Sequence, residues 1–192
     1  MIRRNAIPLR SPAIAFCFVI ILPAASARQQ PAAPEYRIKA AFLYNFTLYA
    51  EWPASAFESP EAPFVLAIAG PDPFGEELDA AVRGKTVKGR VIDIRRYASA
   101  ADVTEGHLLF ISNEEMKGFG QILKKFRETP LLTVAESESF TKSGGVIRLF
   151  VEQNKVLFEV NTDAAARAKL KLSSKLLSLA RVVRDAGAPR DR

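Results

Sequence analysis

The chain is poor in the side chains that carry redox, metal or nucleophilic chemistry. Its 192 residues include one cysteine, one histidine, one tryptophan and two methionines. The cysteine, Cys17, sits in an apolar N-terminal segment, so the rest of the chain has no disulfide or thiolate to offer. A single histidine, His107, rules out a paired-histidine metal motif. There is no Gly-x-Ser-x-Gly elbow, and Gly70 to Gly75 lacks the spacing of a dinucleotide loop. Gly84-Lys85-Thr86 resembles the end of a phosphate loop, but the residue five positions earlier is Asp79 and the segment follows a helical pattern. Ser139-Phe140-Thr141-Lys142 has the Ser-x-x-Lys spacing without the Ser-Asp-Asn and Lys-Thr-Gly that accompany it in penicillin-recognising enzymes. Glu114 and Glu115 are adjacent, so their side chains diverge. The sequence makes no positive case for an enzyme, and no cofactor or metal is expected.

Long apolar runs are also missing beyond the N-terminus. Arg3, Arg4 and Arg10 form a positive region, Ala13 to Ala25 is apolar and uncharged, and Ala25-Ser26-Ala27 is a small-x-small site. This pattern predicts a cleaved secretory signal; the apolar run is too short to span a bilayer, which counts against an uncleaved anchor. Cleavage after Ala27 would remove three arginines and no acid, halving the net charge of +6. Much of the remaining excess lies in Arg181, Arg184, Arg190 and Arg192. An exported chain with a short basic tail gives no reason to expect a nucleic-acid partner. The expected organisation is a signal over residues 1–27, a Gln/Pro/Ala linker over 28–35, one domain over 36–183 and a disordered basic tail over 184–192.

What is present is a regular alternation of strand and helix signals. Ile38–Ala50 reads as a helix in which only Lys39, Asn45 and Thr47 are polar between Ile38 and Tyr49, so it needs cover on more than one side. Pro53 should end it. Phe64 to Ala69 is a continuous apolar run of the kind buried on both faces of a sheet. Asp72 is expected to cap a helix with Pro73 at its first position, running to about Val82. Val91–Ile94, His107–Ile111 and Leu131–Val134 read as further strands, with a helix capped by Ser112 and running to Phe126. Val146–Val151 and Lys155–Val160 are separated by so few residues that they must form an antiparallel hairpin. Asn161 or Thr162 caps a helix to Arg167; Ser173 or Ser174 caps a last helix carrying Leu176, Leu177, Leu179, Ala180 and Val183. The predicted fold is α/β: a single-domain three-layer sandwich with a mixed, mostly parallel sheet and a C-terminal β-hairpin followed by helices.

Candidate contact residues follow from this layout. Tyr44, Leu48 and Trp52 share one helical side by i, i+4 spacing and are assigned to a partner interface, while Phe42, Phe46 and Tyr49 are assigned to the core. Arg95 and Arg96 close a strand beside Tyr97 and form a second partner-contacting set, against the alternative of a solvated strand end. Asp72 lies in the loop after the first long strand, where open α/β sheets bind ligands, and His107 lies at a strand entrance; both are ligand-binding candidates. The plainer alternatives are turn formation for Asp72 and local hydrogen bonding for His107.

These residues resemble the YfiR family of exported proteins. The resemblance runs from about Tyr36 to Ala180. It rests on Lys39-Ala40-Ala41-Phe42-Leu43-Tyr44-Asn45-Phe46 with Glu51-Trp52-Pro53, on Gly70-Pro71-Asp72-Pro73-Phe74-Gly75, and on His107-Leu108-Leu109-Phe110-Ile111-Ser112. Phe158-Glu159-Val160-Asn161 and Leu172-Ser173-Ser174-Lys175-Leu176-Leu177 extend it. It implies a periplasmic protein that binds the periplasmic sensor region of an inner-membrane diguanylate cyclase, or of a sensor kinase, and represses it. An outer-membrane lipoprotein is a further implied partner, and a homodimer is the expected assembly. Family members often carry a cysteine just before the histidine; here that residue is Gly106, so disulfide-based control is not expected. Val160 to Val183 is also similar to the C-terminal end of some periplasmic substrate-binding proteins, which keeps a periplasmic small-molecule-binding domain as the alternative function.

Two outcomes follow. Mass spectrometry of the periplasmic fraction should find a chain beginning at Arg28; a full-length, membrane-retained chain would contradict this. The thermal midpoint of that mature chain should not respond to reductant, because it contains no cysteine.

Overall fold

Phe64 to Ala69 is buried along its whole length, and the fold is arranged to cover it from both sides. The computed structural model describes residues 33–185. In chain order these form α1 (Ala33–Tyr49), β1 (Ala50–Glu51), β2 (Phe64–Ala69), α2 (Glu76–Val82), β3 (Thr86–Val87), β4 (Arg90–Tyr97), β5 (Leu108–Ile111), α3 (Phe119–Lys125), β6 (Leu132–Ala135), β7 (Ile147–Glu152), β8 (Lys155–Asn161), α4 (Thr162–Arg167), β9 (Lys171–Leu172), α5 (Ser174–Leu179) and β10 (Arg181–Val183). The expected signal segment, residues 28–32 of the expected linker and residues 186–192 of the expected tail lie outside the described residues. Among those described, no helix is long and apolar enough to cross a membrane.

Eight strands form one mixed sheet in the order β10-β8-β7-β6-β5-β2-β4-β3. β2 pairs in parallel with β4 and β5; β5–β6, β6–β7 and β8–β10 are also parallel. The β7–β8 hairpin and the β3–β4 pair are antiparallel. Successive strand residues face opposite sides. Phe64, Leu66, Ile68, Phe110 and Val134 therefore meet α1, α2 and α5, while Ala67, Ala69, Leu109 and Ile111 meet Phe119, Ile122 and Phe126 of the α3 segment. This is the three-layer α/β arrangement expected from the sequence.

α1 packs through Ala40, Leu43, Phe46 and Thr47, the spacing of one helical face. The Phe46 and Phe42 rings lie 5.1 and 5.5 Å from Phe158 of β8. The helix starts at Ala33, earlier than expected, and gives way at Ala50 to β1, which pairs antiparallel with β9. The C-terminal caps are as expected. Asn161 Oδ1 accepts from the Ala164 N–H (2.9 Å) and Ser173 Oγ from the Leu176 N–H (3.2 Å).

Three local expectations are corrected. α2 begins at Glu76, not Pro73: Asp72 Oδ1 instead accepts from the Phe74 N–H (2.8 Å), closing an Asx turn, and Gly75 enters the helix at φ 50°. Ser112 heads a 3-10 turn over Asn113–Gly118 before α3, and its hydroxyl makes no cap bond. Gly118 and Gly120 weaken α-helix there. The last helix stops at Leu179; Val182 and Val183 join β10, because β-branched residues suit the free edge of β8.

The placement of α1 can be tested by urea denaturation. Phe46→Ala should cost about 3–5 kcal/mol, whereas Leu48→Ala on the opposite face should stay within about 1 kcal/mol. Equal losses would contradict this orientation.

Candidate functional site

The N-terminal ends of the parallel strands are closed by a stack of rings. Before β5, His107 Nδ1 accepts from the Val65 N–H (2.9 Å) and Nε2 lies 3.0 Å from the Ala56 carbonyl, to which it donates. These partners assign the neutral Nε2–H tautomer. Phe57 stacks on the imidazole at 4.4 Å and 17°, and the Arg90 guanidinium lies 3.8 Å above Phe57 while donating to the Ser59 and Ala62 carbonyls. Trp52 meets Phe64 edge-on at 4.9 Å, and its indole N–H donates to the His107 carbonyl (3.1 Å). Burial, before any charged neighbour, lowers the His107 pKa. Both imidazole nitrogens are thus engaged by backbone groups of other segments.

Arg95 and Arg96 diverge to opposite faces of β4, as consecutive strand residues must. Arg95 pairs with Asp93 (2.8 Å) and Glu105, and it shares a recess of about 250 Å³ with His107 and Phe57. Arg96 reaches Asp72 (2.7 Å) and Asp79 (2.6 Å). Two pairs of sequence candidates thus come together, Arg95 with His107 and Arg96 with Asp72, at opposite ends of the sheet. Both arginines are already matched by carboxylates.

The remaining candidates lie on or near α1. Ile38, Ala41, Asn45 and Leu48 form its outer stripe; Ile38 is 49% and Leu48 43% exposed. Tyr44 is half-buried beside the stripe, with Lys85 Nζ 4.3 Å from its ring centre. Trp52 lies past the end of the helix and belongs to the ring stack.

Lys39, one of the three polar residues of the helix and not among the sequence candidates for a site, is only 4% exposed. It pairs with Glu35 and with Glu136, and the Tyr36 hydroxyl also donates to Glu136 (3.3 Å). Burial, then the Glu136 charge, raises the Tyr36 pKa. The one local signal was Glu35, one helical turn before Lys39. This network occupies the carboxyl end of β6, in the region where open α/β sheets usually hold ligands. No cluster of three His, Cys, Asp or Glu able to hold a metal exists among the described residues. The arrangement places structural ion pairs near an apolar helix surface.

The family model described as YfiR/HmsC-like matches residues 36–181. No curated protein matches the chain. Among solved structures, the ABC domain in complex with L-Trp from Streptococcus pneumonia aligns with a TM-score of 0.48 and 10% identity. The alignment covers 65% of this chain and 55% of that one, so this chain spans little more than half of that protein, and the likeness carries no weight for function.

The His107 assignment predicts a pH effect. Its folded pKa lies below the ordinary value of about 6.5, so its contribution is complete above that value and is lost as pH falls from there through the lowered folded pKa. His107→Gln should lower stability at neutral pH by about 1–3 kcal/mol and remove this acid-side loss, seen as a wild-type-minus-variant difference that shrinks below that pH. A constant difference across the range would show that His107 does not titrate in this way.

Proposed function

The chain belongs to the YfiR/HmsC-like family, and on that footing we propose that it is an exported, non-catalytic regulator that binds the periplasmic region of a membrane signalling enzyme and represses it. Members of this family act as periplasmic regulators of diguanylate cyclases, which makes such a cyclase the first partner to test and a sensor kinase the second.

The observation that carries the reading is the exposed apolar stripe of α1. Ile38, Ala41 and Leu48 stand on a helix whose other side is built into the core. Solvent-facing apolar residues grouped on one rigid element fit an association surface better than a reaction site. Tyr44 and Leu48 belong to the proposed surface. Trp52, Arg95 and Arg96 have internal partners and are proposed to shape and hold the scaffold. Asp72 and His107 fall in the same structural class. Homodimerisation through this stripe is a competing use of the same surface.

Deleting the gene should raise cellular cyclic-di-GMP, and a plasmid copy should restore it. Complementation with Ile38→Glu or Leu48→Glu should fail, although the purified variants keep a thermal midpoint close to wild type. Unchanged nucleotide level on deletion, in cells that express the protein, would refute the cyclase reading. Full complementation by both variants would remove the stripe from the interface.

A further inference from the structure

A separate cavity lies at the amino end of β6, where α3 of one layer approaches α4 of the other. Its volume is about 170 Å³. Ile122, Leu123, Phe126, Val146, Ala164 and Ala168 supply apolar wall. The Thr133 hydroxyl on its lining is engaged, accepting from the Val146 N–H (3.1 Å). It opens to solvent past Arg127, Thr129 and Arg167, which are exposed. Here small residues keep the walls apart: Ala164, Ala168 and Gly144, whose backbone has φ 94°. A Cβ on Gly144 would lie 3.3 Å from Leu123 Cδ1 and 3.8 Å from Arg167 Nη2, between the two sides of the cavity. An apolar cavity of about 150 Å³ holds a single aromatic ring.

Two lining residues are cationic, and they differ. Arg167 is neutralised by Asp185, which is itself held by Asn161. Arg127 is exposed and has no hydrogen-bond or ion-pair partner among the described residues. One uncompensated guanidinium beside an apolar chamber matches one anionic head on a compact apolar body. We propose that this cavity is a binding site for a small apolar monocarboxylate with a single ring or a short branched chain. The body fills the space between α3 and α4, and the carboxylate meets Arg127. The site is independent of the α1 stripe and does not rest on the regulator reading.

The probes are sodium benzoate and its uncharged counterpart p-cresol, titrated into the isotope-labelled mature protein and followed by methyl NMR. Benzoate should give saturable shifts at Ile122, Leu123, Val146, Ala164 and Ala168. Ala168→Leu, which fills the cavity, should weaken both probes by at least about tenfold while the thermal midpoint holds or rises. If that variant does not fold, Ala164→Val serves the same purpose. Arg127→Gln should weaken benzoate by about tenfold and leave p-cresol within about twofold. Absence of saturable shifts at these methyls at millimolar benzoate would overturn the proposal, as would benzoate affinity unchanged by filling the cavity. Equal loss of both probes in Arg127→Gln would overturn the assignment of the carboxylate.

Discussion

The fold depends on covering both faces of β2, β5 and β6, none of whose residues has an exposed side. A parallel sheet of this kind has no solvated face and must carry helices front and back. α3 and its preceding turn cover one face. The other is covered by α1 and α2, joined by α5 and the alanines of α4. α1 comes before the first long strand, so it is not a crossover helix whose position is dictated by βαβ connection. It is held by what it buries, Leu43 and Phe46 above all. That leaves its outer side free to carry apolar residues the sheet does not need.

Both ends of the sheet are closed by polar networks. At the amino ends, one neutral imidazole joins three segments through two hydrogen bonds and a ring stack. At the carboxyl ends, Arg96 ties Asp72 to Asp79, and Lys39 ties α1 to Glu136. The Arg96 pairs are partly solvent-exposed and contribute little; the buried Lys39 pair also adds little net stability, because desolvation offsets the attraction, but removing one partner is costly. Such pairs fix geometry more than they add energy. The carboxyl-end network lies in the region where open α/β sheets usually hold ligands.

The sequence made legible whatever is decided locally. The apolar run of β2, the short connection of the β7–β8 hairpin and the caps at Asn161 and Ser173 each depend on residues within a few positions. The two- and three-residue strands β1, β3, β9 and β10 are too short to show a period, and their pairing is set by tertiary contact. Asp72 illustrates the boundary. Its type and its place before Pro73 suit a cap, but Arg96, distant in sequence, takes one carboxylate oxygen, and the Phe74 amide takes the other. The Lys39–Glu136 pair spans most of the domain and leaves no local trace beyond Glu35. Among the candidate residues, helical spacing grouped Trp52 with Tyr44 and Leu48, although the chain leaves the helix at Ala50 before reaching it.

α1 is fixed at both ends by different means. Near its start, Lys39 and Tyr36 converge on Glu136 after β6. At its end, β1 pairs with β9, and the Ser173 N–H donates to the Tyr49 carbonyl (2.9 Å). Between these anchors, Leu43 and Phe46 are fully buried. A helix pinned in this way presents Ile38 and Leu48 at fixed separation, with little backbone freedom left to lose. Ordering entropy is among the main costs of association, so the proposed α1 surface would lose less of it than the same residues on a loop. Because β9 follows α4 directly through Leu170, the position of α4 and the end of α1 are mechanically joined. The placement of α1 therefore depends on packing well away from its outer stripe.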